Sequence, residues 1–203
     1  MVDFVKDNGG AFNTDDYVNI FPVYKHDHFL IPAGTIHCSG KDSMVLEISS
    51  TPYIFTFKMW DWGRMGLNGK PRPINLEHAY NVVDRNINTS FVREELINIS
   101  EKISEGPGWI EECTGLHKRE FIETRRHRFS KPVIHRNNGS VNVLMLIEGD
   151  EAIIDSPDNQ FEPYKIHYAE AIVIPASLKS FRISPFRAAN GEELITIKAF
   201  VRT

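Results

Sequence analysis

Residues 26–37, His-Asp-His-Phe-Leu-Ile-Pro-Ala-Gly-Thr-Ile-His, and residues 169–180, Ala-Glu-Ala-Ile-Val-Ile-Pro-Ala-Ser-Leu-Lys-Ser, are two versions of one pattern. Each has a polar start, an apolar run, Pro-Ala, a small residue, two more residues and a polar side chain. Both copies follow a β-rich approach and precede a run ending in Thr-Phe-Lys (56–58) or Ile-Lys-Ala-Phe (197–200). An internal duplication of this kind constrains the fold more than any single motif, because each half must build the same supersecondary unit.

That unit is β. Short runs rich in β-branched and aromatic residues, bounded by turn residues, recur at Val18–Val23, Met44–Ile48, Tyr53–Trp60, Phe121–Phe129, Val141–Ile147, Glu151–Ile154, Phe161–Tyr168, Ala171–Ile174 and Leu194–Val201. Two stretches depart from this pattern. Asn75–Val83, with Asn75 as N-cap, and Thr89–Ile97, where Thr89 or Ser90 precedes Phe-Val-Arg-Glu-Glu-Leu, are expected to be short helices. Ser104-Glu-Gly-Pro-Gly-Trp109 reads as a linker.

Charge and hydropathy narrow the function classes. There are 23 Lys and Arg against 27 Asp and Glu, a net charge of −4, which argues against a broad nucleic-acid surface. The longest apolar runs fall far below the ~20 residues that cross a bilayer, and the acidic start carries no apolar signal core, so the expected location is the cytoplasm with no membrane partner. Cys38 and Cys113 form no Cys-x-x-Cys pair and read as two free thiols.

Pro32-Ala33-Gly34-Thr35-Ile36-His37 resembles the Pro-x-Gly-x-x-His motif of the cupins, the double-stranded β-helix or jelly-roll proteins. With Val45-Leu46-Glu47-Ile48, Asp61-Trp62-Gly63-Arg64 and Asn68-Gly69-Lys70-Pro71-Arg72, residues 17–85 look like type I mannose-6-phosphate isomerase. The remainder is similar to the second, degenerate cupin of that family through Leu146-Ile-Glu-Gly149 and the Pro-Ala-Ser turn. The resemblance implies an all-β protein of two cupin repeats, the first incomplete at its N-terminus: residues 1–85 as the partial first cupin, 86–109 as a helical linker and 110–203 as the second cupin. The hairpin at Glu148-Gly149-Asp150 precedes Pro175 by a distance that, counted back from Pro32, reaches Lys6. The strands that would carry the family's Gln-x-His and Lys-Pro-Glu ligands are therefore expected to lie outside the sequence. An open barrel edge then calls for a second copy of the chain, or an upstream segment, to close it.

The resemblance assigns His37 as a ligand for zinc, the only one carried over; a hydrogen-bonded histidine at a strand end is the plainer reading of that side chain. His26 and His28 have the period to share a strand face as replacement ligands, or sit in an exposed turn. Lys58 takes the place of the arginine to which the family's catalysis is assigned, keeping the charge and losing the planar fork. It points either into the barrel or into solvent, and the resemblance favours the interior. Arg64, Lys70 and Arg72 flank the Asn68-Gly69 turn as a charged hairpin tip or as contacts to a substrate phosphate. Arg125-Arg126-His127-Arg128, with Lys131, His135 and Arg136, reads as the solvated outer face of a sheet in which Arg126 and Arg128 share one side and Arg125 takes the other. Ser180 in the histidine position makes the second repeat structural. Trp60, Trp62 and Trp109 pack or stack on a sugar. The function so implied is metal-dependent aldose–ketose isomerisation of mannose 6-phosphate and fructose 6-phosphate, with this chain alone expected to have little or no activity. The rival is a cupin that binds a sugar or sugar phosphate without turnover.

Overall fold

A computed structural model describes residues 13–50, 56–115, 121–137, 139–187 and 192–202. Its residues group into two compact units, one of 1–47 and 51–97, the other of 48–50 and 98–203. The expected run Tyr53–Trp60 lies outside the described residues as far as Phe55.

The second unit is an all-β jelly roll of the cupin type. Its ten strands are β1 (Glu101–Gly106), β2 (Trp109–Cys113), β3 (Ile122–Phe129), β4 (Val133–Arg136), β5 (Asn142–Glu148), β6 (Glu151–Asp155), β7 (Tyr164–His167), β8 (Ala171–Ile174), β9 (Ser180–Pro185) and β10 (Leu194–Val201). They form a six-stranded sheet, β1-β2-β3-β10-β5-β8, and a four-stranded sheet, β4-β9-β6-β7, antiparallel throughout. The inner faces enclose Phe129, Val133, Leu144, Leu146, Ile154, Ile166, Phe181, Ile183 and Leu194. At about 25 cal/mol per Å² of apolar surface, such side chains dominate the stability of a sandwich. Trp109 packs against this core, which settles its role as packing.

The run Ser104–Trp109 is a tight hairpin rather than a linker. Gly108 takes φ 81, and the turn joins β1 to β2, with Gly106 opposite Trp109. The alternation of Lys102, Ser104 and Gly106 is too polar to announce a strand, and its ladder comes from pairing with β2.

The first unit carries no strand among its described residues. Val18–Val23 and Met44–Ile48 lie in irregular, largely exposed chain that forms no strand ladder, and residues 56–60 are irregular and mostly half-buried, Asn75 N–H donating to Lys58 O. Helix α1 (Leu76–Val82) buries Leu76 and Ala79. Asn75 precedes it as expected, capping through its carbonyl, which accepts from Ala79 N–H at 2.9 Å, and not through its side chain. Helical turn α2 (Thr89–Phe91) runs on as a wider turn over Val92–Leu96. Its cap is Asn88, whose side chain accepts from Phe91 N–H at 3.1 Å, in place of Thr89 or Ser90.

The duplication is visible in the backbone. Asp27 N–H donates to Tyr24 O at 3.1 Å, and Glu170 N–H to His167 O at 3.0 Å; the two carboxylates accept in return from Tyr24 N–H and His167 N–H, each at 2.9 Å. His26 and Ala169, at matching places, both adopt positive φ, 71 and 61. After each Pro-Ala the chain turns alike, Thr35 N–H donating to Pro32 O and Leu178 N–H to Pro175 O, both at 3.1 Å. The described residues of the first copy thus retain the turns of the repeat and carry no strand.

Candidate functional site

In the first unit a buried carboxylate gathers two of the expected cations. Asp61, 8% exposed, has Oδ2 at 3.0 Å from Arg72 Nε and 3.6 Å from Lys58 Nζ. A carboxylate withdrawn from water needs such neighbours to offset its lost hydration. The turn that presents it is built locally: Arg64 N–H donates to Asp61 O at 2.9 Å, and Trp62 and Gly63 both lie at positive φ, 52 and 64. A left-handed tryptophan is costly. It is held between Trp60, with ring centroids 4.7 Å apart, and the Arg64 guanidinium, 4.8 Å from its ring.

Beyond that turn the chain folds back on itself. Met65 bridges Pro71, Arg72 N–H donates to Arg64 O at 3.0 Å, and Gly66 N–H to Lys70 O at 2.7 Å, with Gly69 at φ 70 closing the loop. Arg64 and Arg72 therefore stand opposite each other across a short hairpin, and Lys70 sits two positions from Arg72. Lys58 and Arg72 thus meet on Asp61, Arg64 faces Arg72 across the hairpin with its guanidinium over Trp62, and among the described residues no contact ties Lys70 to them. Asp61 was not singled out in the sequence as a functional residue; the signal was its place between Lys58 and the Asn68-Gly69 turn.

His37 is apart from any such gathering. It is exposed, and its Nδ1–H donates to Thr35 O at 2.9 Å. The Gly34 turn before it is tight: φ is 90, and a Cβ there would lie 2.7 Å from Val82 O. No three His, Cys, Asp or Glu side chains converge into a metal-holding group among the described residues, His26 and His28 included. The described donors do not make a zinc site, which takes at least three protein ligands.

A second concentration of polar groups lies inside the jelly roll. Opposite residues of paired strands share a face, and the register sets Glu111, His127, Thr196 and Leu146 in one inner row and Cys113, Arg125, Lys198 and Leu144 in the next. From the facing sheet His135 stacks on Phe181, with ring centroids 4.8 Å apart, and lies tilted against His127 at 3.9 Å. Glu111 Oε1 lies 2.9 Å from an Arg125 guanidinium nitrogen and 3.3 Å from His127 Nε2. Burial raises the Glu111 carboxyl, but contact with His127 and Arg125 outweighs it and holds the group far below the usual carboxylate range. Burial pushes His127 down against the pull of Glu111, and pushes His135 well down, helped by His127 and Lys198. Lys198 is lowered to about 8, mainly by burial. Alternation along β3 sends Arg126 and Arg128 outward to Glu112, at 2.8 and 3.4 Å, as the sequence suggested. The same alternation carries Arg125 and His127 inward with Phe129, which the solvated-face reading passed over.

Cys38 is exposed and Cys113 buried, both free. Among the described residues no helix is long and apolar enough to cross a membrane.

No family model matches the chain. It is 22% identical over 176 residues to a mannose-6-phosphate isomerase of Streptococcus mutans, a match covering 85% of this chain and 50% of that protein. The chain thus spans half the length of the curated relative it matches. The crystal structure of the mannose 6-phosphate isomerase from Bacillus subtilis superposes on 70% of this chain and 39% of its own, with a TM-score of 0.52 at 13% identity. A cupin domain from Bordetella pertussis overlaps 49% of this chain and 99% of its own, with a TM-score of 0.37 at 12% identity. In sequence this chain resembles the mannose-6-phosphate isomerase of Streptococcus mutans, and in fold that of Bacillus subtilis.

Proposed function

We propose that this chain is a mannose-6-phosphate isomerase-like cupin whose Asp61-centred hairpin binds a sugar phosphate. The observation that carries the reading is the meeting of Lys58 and Arg72 on one buried carboxylate, with Arg64 opposite Arg72. A phosphate carries close to two negative charges near neutrality, and an acidic chain that binds one must concentrate its cations locally. Lys70 and the two arginines supply that concentration, the guanidinium fork matching phosphate oxygens two at a time.

Aldose–ketose isomerisation moves a proton between C2 and C1 through an enediolate, and negative charge develops on oxygen as it does so. Lys58, tethered at its base by Asn75 N–H donating to its carbonyl at 2.6 Å and at its tip by Asp61, is the cation placed to stabilise that charge. The family resemblance adds a zinc ion, yet the donors around His37 do not hold one, so no step is assigned to it. The exposed placement of His37 favours binding over turnover in this chain alone.

Calorimetric titration with mannose 6-phosphate tests the reading, alongside a coupled isomerase assay. Heat of binding should appear, weaken as salt rises because the cations are exposed, and disappear in a Lys58→Met, Arg72→Ala double variant. Turnover should be below detection. Absence of any heat at millimolar ligand, or binding indifferent to the double substitution, overturns the assignment.

A further inference from the structure

Among the described residues two charged side chains are buried, Asp61 and Lys198. Asp61 has its ion partners. Lys198, 3% exposed, has no carboxylate within 4 Å among the described residues; its ammonium lies 5.5 Å from the Phe200 ring. The nearest acids are committed elsewhere: Glu111 to Arg125 and His127, and Glu123 to Arg125 at 2.6 Å. A buried ammonium with no direct ion pair is costly, and here only the more distant charges of Glu111 and Glu123 favour it.

Around it stand further groups that lack partners. Thr196 Oγ1, His127 Nδ1 and both ring nitrogens of His135 are buried without a hydrogen bond, on side chains 0%, 2% and 1% exposed. Thr196 and Lys198 alternate along β10 and so point to the same side, His127 lies directly opposite Thr196 on β3, and His135 approaches from β4. Buried polar atoms left unpaired in this number call for an occupant. A divalent cation is disfavoured by Lys198 and Arg125. The requirements are negative charge and several acceptor atoms in a small volume.

We propose that the interior of this jelly roll binds a small oxyanion, a carboxylate or a phosphate, held by Lys198, Thr196, His127 and His135. Lys198 supplies the charge, the Thr196 hydroxyl and a His135 N–H donate to oxygen, and His127 takes up a proton at Nδ1 while Nε2–H faces Glu111. Binding therefore shifts both imidazoles toward the protonated form, with Glu111, Glu123, Arg125 and Lys198 the titratable groups facing them. This site is separate from the hairpin of residues 58–72 and stands whether or not that hairpin binds a sugar phosphate.

The full chain, in buffer free of oxyanions, is titrated with inorganic phosphate and separately with acetate. Sodium chloride at matched ionic strength serves as control. The imidazole nitrogen resonances of His127 and His135 and the thermal midpoint of the β signal are followed. The expected result is a saturable move of both histidines toward imidazolium with one or both oxyanions, a rise in midpoint, and no response to chloride. Lys198→Met, which removes a charge-assisted contact while keeping length and apolar volume, should weaken binding about tenfold or more. The Lys58→Met, Arg72→Ala variant should leave the imidazole response unchanged, which separates this site from the hairpin. Histidine resonances indifferent to both oxyanions, meaning that ordered water alone occupies the interior, overturn the proposal. So does a response that survives Lys198→Met intact.

Discussion

Acidification should destabilise the jelly roll well before its carboxylates protonate. His127 and His135 are lowered below 6.5 in the folded barrel, the first by burial against the opposing pull of Glu111, the second by burial together with His127 and Lys198. In the unfolded chain both return to about 6.5. Below that pH the unfolded state binds more protons than the folded one, so stability falls as pH falls. A histidine that stays neutral in the fold, as fully buried His135 does, contributes a loss of about 2 kcal/mol between pH 7 and pH 5, and His127 adds to the loss in the same direction. Set against a typical domain stability of about 5–15 kcal/mol, this is a substantial fraction of the total. Urea unfolding at pH 7, 6 and 5, followed by far-UV circular dichroism, reads it directly, because the ten strands of the described residues all lie in this unit. The buffers must lack phosphate and carboxylates. In His135→Phe, which keeps an aromatic ring between His127 and Phe181, the fall should shrink to about half. A wild-type loss under about 1 kcal/mol from pH 7 to 5 would refute the argument, as would a His135→Phe profile parallel to the wild type.

Lys198 predicts the alkaline counterpart. With its folded pKa at about 8 against 10.5 for the unfolded chain, raising pH from 7 to 10 should stabilise the barrel by about 2–3 kcal/mol, an increment absent from Lys198→Met in the same urea assay. Leu146→Ala, at a fully buried position, should cost about 3 kcal/mol in urea unfolding at pH 7; a loss under about 1 kcal/mol would mean that the two sheets close over the gap. Gly34→Ala forces a Cβ against the Val82 carbonyl at φ 90 and should destabilise the first unit by at least about 1 kcal/mol. Limited proteolysis within residues 13–97 should then accelerate while the β signal stays unchanged.

Periodicity and punctuation carried much of the fold. Runs such as Val141–Ile147 and Leu194–Val201 became β5 and β10 because their inward positions, Leu144, Leu146 and Leu194, meet apolar partners on the facing sheet. The two helices were legible from their break with the strand pattern and their polar N-terminal residues, and the repeat from its shared apolar run and Pro-Ala turn, since such features are local and short-range. β1, β2, β4 and β9 were missed because short or polar segments acquire strand geometry only from a ladder partner. Conversely, Val18–Val23 and Met44–Ile48 have strand composition without a ladder among the described residues.

The candidate sites divide the same way. Lys58, Arg64, Lys70 and Arg72 were identifiable as cations near a turn, because turn chemistry and charge are properties of contiguous residues. The meeting of Lys58 and Arg72 on Asp61 depends on a fold-back that brings position 72 beside 61 and 64, and residue types alone do not encode that distance. The barrel interior is the stronger case. Glu111, His127, His135, Thr196 and Lys198 come from four strands spread over most of the second unit, and nothing in their spacing marks them as neighbours. Burial then alters their chemistry, since the same lysine or histidine in water would keep its ordinary pKa. Local order, repeat and charge pattern are written along the chain; long-range pairing and the desolvation it imposes arise from strand register, where the two sheets bring distant side chains together and exclude water.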